Sequence, residues 1–121
     1  MLYFAYGMNT NAQGMAQRCP AAVAYGRAQL QGHRFRFSGP ADVQRNRHSI
    51  VEGVLWDITD ECLKSLDRLE GYPYYYDKKD FIVELKKPIS DNTHIVAMAY
   101  QMVDQSSSSP PGQQYLNCLL E

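Results

Sequence analysis

The sequence predicts an α+β fold, with a mixed, largely antiparallel sheet or a partly closed barrel flanked by a few short helices. Several strand-like segments precede and follow one central amphipathic helix, without the regular alternation of a βαβ array. The 121 residues suffice for one hydrophobic core and are too few for two. We therefore expect a single domain spanning residues 1–121.

The N-terminal half alternates between short apolar stretches and turn residues. The aromatic run at the start of the chain, Leu2 to Ala5, is typical of a buried strand. Pro20 is expected to end the short helix that follows the first turn. The predicted elements are a strand over 2–5, a helix over 12–18, strands over 22–30 and 34–38 with a turn at Gly32, a loop over 38–47, and a strand over 50–58.

The C-terminal half begins with the clearest helix of the chain. Thr59 is a good N-cap, and Asp60 and Glu61 suit the positive end of the helix dipole. Gly71 suits the left-handed residue that commonly ends a helix. The later predicted elements are a strand over 74–85, a turn over 88–92, a strand over 95–102, a flexible connector over 104–112 and a short helix over 113–120.

Composition excludes several broad classes. A formal net charge of −1 gives no general attraction to nucleic acid or acidic lipid. The first residues lack a basic n-region and a long apolar run, so we expect no signal peptide, and no stretch reaches the roughly 20 apolar residues that a membrane-spanning helix needs. The widely spaced Cys19, Cys62 and Cys118 indicate neither a disulfide framework nor a metal site, and Cys62 is expected to be a small core residue. We therefore expect a cytoplasmic protein.

The turn Tyr6-Gly7-Met8-Asn9 is the first candidate binding site. A strand that stops at a glycine before a helix exposes successive backbone N–H groups, which suit an anion or a polarised carbonyl oxygen. Gly7 also lets a ligand approach the backbone closely. An ordinary strand-to-helix turn has the same features, so both interpretations stay open on this motif alone.

Glu70 is the candidate for acid–base chemistry. Helical spacing places it at the C-terminal end of its helix, where the helix dipole disfavours a carboxylate and raises its pKa. Aromatic neighbours would raise the pKa further, and Asp67 would add like-charge repulsion if it faced the same way. Such a carboxylate suits a general base. The alternative is a solvated glutamate paired with Arg68 or a nearby lysine.

Tyrosines supply two further candidates. Four of the nine tyrosines lie between positions 72 and 76, which makes this segment a candidate pocket wall. Tyr115 begins the last predicted helix after two prolines, where it would close a pocket or simply pack. The basic stretch from His33 to His48 is interpreted as a solvated strand-and-loop edge, or as a contact for phosphate or carboxylate.

Three segments taken together resemble the γ-glutamylcyclotransferase family, also called AIG2-like. In chain order they are Tyr3-Phe4-Ala5-Tyr6-Gly7-x-Asn9, Leu66-Asp67-x-x-Glu70-Gly71-Tyr72 and Pro110-Pro111-x-x-x-Tyr115. Residues 15–20 and 52–56 are similar to the family's first helix and to the strand before its catalytic helix. The resemblance covers nearly the whole chain, from Met1 to about Leu120.

The resemblance implies an enzyme of the acyltransferase or lyase class that needs no cofactor and no metal. In this family the free α-amine of a γ-glutamyl substrate attacks its own γ-carbonyl, which releases 5-oxoproline and an amine or amino acid. Glu70 matches the family's general base. The implied substrate-binding residues are Tyr3, Phe4, Ala5, Tyr6, Gly7, Met8, Asn9, Tyr76 and Tyr115. The expected partner is a small γ-glutamyl molecule, and the protein is expected to be a monomer or homodimer.

Three departures from the family pattern bear on specificity. Met8 stands where relatives commonly carry serine, so one hydroxyl donor is lost while the backbone donors remain. The stretch over 38–49 is short, and the C-terminal lid of longer relatives is expected to be missing after Tyr115. These departures motivate one alternative, a non-catalytic protein that binds an amino-acid-like ligand. The other alternative is a nucleic-acid platform formed by the tyrosines over 72–76 and the basic residues over 34–47.

Overall fold

The computed structural model describes residues 1–7, 12–37, 41–89 and 92–105. The elements in these ranges are β1 (Leu2–Ala5), α1 (Ala12–Arg18), β2 (Val23–Phe37), β3 (Ala41–Asp57), α2 (Asp60–Glu70), β4 (Tyr76–Ile89) and β5 (Asn92–Met102). The predictions for Met8, Asn9 and Tyr115, and the helix predicted over 113–120, lie outside the described residues.

The five strands close into a barrel in the order β1-β3-β2-β4-β5. Most neighbouring strands are antiparallel, whereas β1 and β5 run parallel with Tyr3 opposite Met98. The predicted α+β class with a mixed, largely antiparallel sheet is therefore confirmed. Of the two architectures left open by the sequence, the structure has the barrel, and β1 closes it by pairing with both β3 and β5.

Two predicted breaks in the N-terminal half are wrong. β2 continues through Gly32, where a shift in register with β3 accommodates a left-handed glycine with a φ of 76°. The polar stretch predicted as a loop over 38–47 is strand from Ala41 onward, since its pairing with β2 extends to Phe37. Polar composition indicated a loop, but a partner strand supplies the backbone hydrogen bonds.

The C-terminal hairpin is longer than predicted. β4 begins at Tyr76 and continues to Ile89, which pairs with Asn92 at the start of β5. The predicted turn over 88–92 is therefore too long, because residues 88 and 89 belong to β4 and residue 92 belongs to β5. A shift in register between Glu84 and Ile89 accommodates the proline that suggested a turn.

The boundaries of α2 are those predicted. The Thr59 hydroxyl accepts a hydrogen bond from the Cys62 N–H at 3.2 Å and so caps the helix. Gly71 ends the helix in the left-handed conformation, with a φ of 68°, which leaves Glu70 as the last helical residue. Neither α1 nor α2, the helices of the described ranges, is long and apolar enough to cross a membrane.

Two apolar clusters hold the fold together. One consists of strand residues and fills the barrel: Phe4, Ala28, Leu30, Val43, Val51, Leu55, Val83, Leu85, Ala97 and Ala99. The other joins the barrel wall to both helices: Tyr3, Ala5, Met15, Cys19, Trp56, Ile58, Cys62, Leu66, Tyr76, Met98 and Tyr100. We call the second cluster the helix layer. Because side chains alternate along a strand, β1 contributes Phe4 to the barrel interior and Tyr3 to the helix layer.

β1 and β3 pack very closely against each other at Gly53. A Cβ atom on this residue would lie 2.4 Å from the Ala5 carbonyl oxygen and 2.6 Å from the Phe4 ring. A side chain therefore has no room at this position, and glycine is required by packing. The contact fixes the strand that leads into the glycine turn.

Cys19 and Cys62 form a disulfide, with their Cα atoms 5.0 Å apart. The expectation that the cysteines do not pair is therefore wrong. A separation of 43 residues carries no signal in the sequence, whereas the packing of α1 against α2 brings the two residues together. The cytoplasmic location was inferred from unpaired cysteines, so that inference loses its support and the location stays a prediction.

Candidate active site

Glu70 ends the buried face of α2. Cys62 and Leu66 precede it at intervals of four residues, which places all three on one side of the helix. Both are buried in the helix layer, and Glu70 itself is half-buried. Within the described ranges its carboxylate accepts no hydrogen bond and forms no ion pair. The carboxylate is thus partly shielded from water, and no hydrogen bond or ion pair within the described ranges uses its oxygens.

Burial raises the pKa of Glu70 to about 7, and the nearby positive charge of Arg18 acts in the opposite direction. Burial rather than like-charge repulsion is the cause, because Asp67 has partners of its own. One oxygen of Asp67 lies 3.0 Å from Lys78 Nζ, and the other accepts a hydrogen bond from the Tyr100 hydroxyl at 2.6 Å. The alternative of a solvated surface glutamate is wrong for Glu70.

Two tyrosines, Tyr6 and Tyr100, lie within electrostatic range of Glu70. Burial is the largest cause that raises the pKa of Tyr6 and of Tyr100, and the charge of Glu70 contributes to both. The Tyr6 hydroxyl donates to the Tyr100 carbonyl, and the Tyr100 hydroxyl donates to Asp67. These bonds join Tyr6, which follows β1, to the strand β5 and join β5 to Asp67 of the helix α2.

The residues of β1 serve packing, and the glycine turn begins directly after them. Tyr3 and Ala5 are buried in the helix layer, and the Phe4 side chain is buried in the barrel interior. Gly7 has a φ of 72°, the left-handed conformation that favours glycine. The start of this turn lies within electrostatic range of Glu70, because the charge of Glu70 contributes to the raised pKa of Tyr6. That the turn and the carboxylate form one site stays a prediction.

The tyrosines in the segment after α2 differ in their exposure to solvent. Tyr74 and Tyr75 are 84% and 72% exposed, so the prediction that they line a pocket is wrong. Tyr76 is buried, and its hydroxyl donates to the carbonyl of Ala41. Its ring packs edge-on against Tyr100 with 6.3 Å between centroids. Tyr76 therefore supports the wall formed by Tyr100.

A buried ion pair borders the site. Arg36 Nε donates to the Asp42 carboxylate at 3.0 Å, and both side chains are almost inaccessible to solvent. Asp42 also accepts hydrogen bonds from the Met102 N–H at 2.8 Å and from the Gln105 amide at 3.0 Å. Its charge contributes to the raised pKa of Tyr6, after burial. Arg36 and Tyr76 are both buried, so neither can contact nucleic acid as the alternative of a nucleic-acid platform requires.

Sequence reasoning missed three residues of this environment. Arg18 is the last residue of α1, where a basic side chain is expected from the helix dipole alone. Asp42 lies in a stretch predicted to be a loop, so nothing indicated that it is buried. Tyr100 could have been predicted from the sequence. It alternates with Met98 and Met102 along β5, so all three side chains face the helix layer.

Comparison with known proteins identifies the family of this chain. Residues 3–117 match the family model described as "Gamma-glutamyl cyclotransferase, AIG2-like". The chain belongs to this family. Two curated relatives of this AIG2-like chain are both named "Gamma-glutamylcyclotransferase". The protein from Bos taurus is 31% identical over 128 residues, and the one from Homo sapiens is 29% identical over 126 residues.

The AIG2-like chain is shorter than these relatives. Each match covers 94% of this chain and 65% of the relative, which is slightly less than two thirds of its length. A solved structure named "Gamma-glutamyl cyclotransferase" superposes with a TM-score of 0.82 at 26% identity, over 98% of this chain and 75% of that one. The predicted family and fold are thereby confirmed.

The raised pKa of Glu70 predicts how stability depends on pH. Between its ordinary value of 4.5 and about 7, the folded protein binds more protons at this residue than the unfolded chain does. The free energy of unfolding should therefore fall as pH rises through this window, by about 3 kcal/mol. Glu70→Gln removes this contribution, so the variant should exceed the wild type by about 3 kcal/mol at pH 8 and match it at pH 4.

Urea denaturation of both proteins at pH 4, 5.5, 7 and 8 measures this difference. Glu61→Gln is the matched control, because Glu61 is exposed in the first turn of the same helix. The control should stay within about 1 kcal/mol of the wild type at every pH, the difference being the interaction of Glu61 with the helix dipole. A difference between Glu70→Gln and the wild type that does not change with pH would contradict the raised pKa.

Proposed function

We propose that this protein is a γ-glutamyl cyclotransferase in which Glu70 is the general base. The observation that carries the proposal is the half-buried carboxylate of Glu70, whose pKa burial raises to about 7, in a chain of this family. The names of the curated relatives support the same activity. The substrate is a small molecule with a γ-glutamyl group and a free α-amine.

The reaction is a ring closure within the substrate. The Glu70 carboxylate takes a proton from the α-ammonium, and the resulting amine attacks the γ-carbonyl carbon of the same molecule. The new C–N bond closes a five-membered ring while the bond from the γ-carbon to the leaving nitrogen breaks. Glu70 gives its proton to the leaving nitrogen as that bond breaks, and the second proton of the attacking nitrogen follows it through the same carboxylate, so that the amine departs as an ammonium. The products are 5-oxoproline and an amine or amino acid, and the carboxylate is regenerated.

The raised pKa of Glu70 suits the proton transfer. An α-amine with a pKa of about 9 exceeds Glu70 by about 2 pH units, so the transfer costs about 2.7 kcal/mol. With an ordinary glutamate the same transfer would cost about 6 kcal/mol. Burial thus lowers the cost of forming the attacking amine by about 3 kcal/mol. The rest of the catalysis is orientation, because the nucleophile and the carbonyl belong to one molecule.

The glycine turn over residues 6–9 is our candidate for binding the glutamyl group. Negative charge develops on the γ-carbonyl oxygen during the attack, and backbone N–H groups are suitable donors for it. The left-handed Gly7 supports this role, as does the electrostatic effect of Glu70 on Tyr6 at the start of the turn. Tyr6 and Tyr100 use their hydroxyl protons within the protein, so we assign them to the wall of the site rather than to proton transfer.

A product assay tests the proposed function. The protein is incubated with γ-glutamyl amino acids and γ-glutamyl amines, and 5-oxoproline is quantified by mass spectrometry. We expect at least one compound to give 5-oxoproline and its amine in equal amounts. The N-acetylated form of that compound is the matched control, since it lacks the free α-amine and should give no product. A substrate panel that raises the melting temperature without forming 5-oxoproline would favour the non-catalytic binding protein instead.

A further inference from the structure

Asp67 connects the end of α2 to the barrel through each of its acceptor oxygens. One carboxylate oxygen accepts a hydrogen bond from the Tyr100 hydroxyl on β5 at 2.6 Å, and the other lies 3.0 Å from Lys78 Nζ on β4. Its backbone carbonyl accepts a hydrogen bond from the Tyr72 N–H at 2.9 Å, beyond the helix end. A single residue of α2 therefore binds two strands of the barrel and the segment that follows the helix.

Glu70 lies within the stretch that these bonds hold. It follows Asp67 by three residues, so the two side chains are neighbours on the helix surface, and it precedes Tyr72 by two. Lys78 also lies over the Tyr72 ring, with Nζ 4.2 Å from the ring centroid. Within the described ranges the Glu70 carboxylate has no hydrogen bond or ion pair of its own. Its direction therefore depends on how its neighbours are held.

The apolar packing of α2 ends before its last turn. Cys62 and Leu66 are buried in the helix layer, and the disulfide to Cys19 holds the first turn. Leu69, the apolar side chain among residues 67–70, is 46% exposed. The last turn is thus held by the polar bonds of Asp67 rather than by a buried apolar side chain of its own.

We propose that Asp67 is a positioning residue of the active site: its bonds to Tyr100 and Lys78 dock the last turn of α2 on the barrel and so fix the direction and the shielding of the Glu70 carboxylate. The inference rests on the proposed role of Glu70 as the base. A hydrogen bond to an ionised carboxylate is roughly twice as strong as a neutral one, which suits such an anchor. Misplacing a reacting group by about 1 Å can cost on the order of 100-fold in rate.

Tyr100→Phe tests the inference because it removes the anchoring hydroxyl and keeps the ring. The ring packs edge-on against Tyr3 and Tyr76, with 5.8 and 6.3 Å between centroids, and the backbone carbonyl that accepts from Tyr6 is unchanged. We expect kcat for the release of 5-oxoproline to fall about tenfold while KM changes by less than about threefold. Tyr74→Phe is the matched control, because Tyr74 is 84% exposed, and it should change neither.

Substitutions of Asp67 test the same bond from the other side. Asp67→Ala should lose at least as much in kcat as Tyr100→Phe. Asp67→Asn keeps an oxygen that can accept from the Tyr100 hydroxyl and should recover most of the rate. If both residues act through one bond, the double variant should lose no more than Asp67→Ala alone. Losses that multiply in the double variant would mean that the two residues act separately, and would overturn the inference.

A carbon-13 NMR titration of the Glu70 carboxyl supplies a readout that needs no turnover. The full chain is labelled at the glutamate Cδ, and Glu70→Gln identifies the resonance. The wild-type midpoint should be near 7, because burial raises the pKa of Glu70. In Tyr100→Phe it should fall by about one pH unit, because the undocked turn admits water. Tyr100 is a neutral phenol at this pH, so the variant keeps the charges of Arg18 on α1, Asp67 on α2 and Lys78 on β4.

The outcomes separate this inference from the proposed function. Tyr100→Phe with the wild-type kcat and an unchanged Glu70 midpoint overturns the role of Asp67, even if the enzyme forms 5-oxoproline. A merely structural role would lower stability and leave the kcat of the folded protein as it is. A wild type that forms no 5-oxoproline overturns the proposed function, and the midpoint in Tyr100→Phe then decides alone whether Asp67 positions Glu70. Should Asp67→Ala fail to fold, Tyr100→Phe makes the same test.

Discussion

Glu70→Gln is expected to lower kcat/KM for the release of 5-oxoproline by at least about 100-fold. The amide has the size of the carboxylate but cannot take a proton from the substrate ammonium. Within the described part of the chain the Glu70 carboxylate holds no structural partner, so the substitution should leave the fold intact. Circular dichroism and the mass-spectrometric product assay measure the two effects on the same samples.

Glu61→Gln serves again as the control for this experiment. It makes the same chemical change at an exposed position of α2 and should retain the wild-type rate. The wild-type kcat/KM should rise with pH through a midpoint near 7, since only the ionised carboxylate is a base. The residual rate of Glu70→Gln should lack this midpoint. A variant that stays within about threefold of the wild type would show that another group removes the proton.

Asp42→Ala is expected to lower the free energy of unfolding by about 3–5 kcal/mol. The carboxylate is fully buried and accepts hydrogen bonds from Arg36, from the Met102 N–H and from Gln105. Removing it leaves the buried charge of Arg36 without this carboxylate and releases the end of β5 from β3. Equilibrium denaturation in urea, analysed at constant m-value, measures the loss.

Asp80→Ala is the control for the stability experiment. Asp80 is exposed on β4, so its removal should change the free energy of unfolding by less than about 0.5 kcal/mol. A loss below about 1 kcal/mol for Asp42→Ala would mean that the ion pair is not buried as described. The comparison isolates burial, because the two substitutions remove the same side chain.

The candidate site depends on contacts between elements that are far apart in the sequence. Tyr6 directly follows β1, and Glu70 ends α2. Tyr100 on β5 accepts a hydrogen bond from Tyr6 at its carbonyl and donates one from its hydroxyl to Asp67 of α2. The disulfide attaches the segment that carries Arg18 to the first turn of α2. Each contact spans a long stretch of sequence, so the environment of the carboxylate exists only once the barrel has closed.

Local signals in the sequence were sufficient for the short elements near the site. The apolar run of β1, the cap at Thr59 and the glycine at Gly71 act over a few residues, and the structure has these boundaries where they were predicted. The resemblance selected Glu70 because its motif keeps a fixed spacing within one helix. The family was predictable because three such motifs occur in a fixed order along the chain. The fold class was predictable from the local patterns of the strands and the central helix.

Long-range packing decided the rest. The strand pairing that extends β3 back to Ala41, the disulfide between Cys19 and Cys62, and the burial of Asp42 all join residues far apart in the chain. The pKa of Glu70 belongs to this class too, because desolvation depends on which side chains surround the carboxylate. The sequence by itself therefore determined the identity of the candidate base, whereas the tertiary structure decided how much water and which charges surround it.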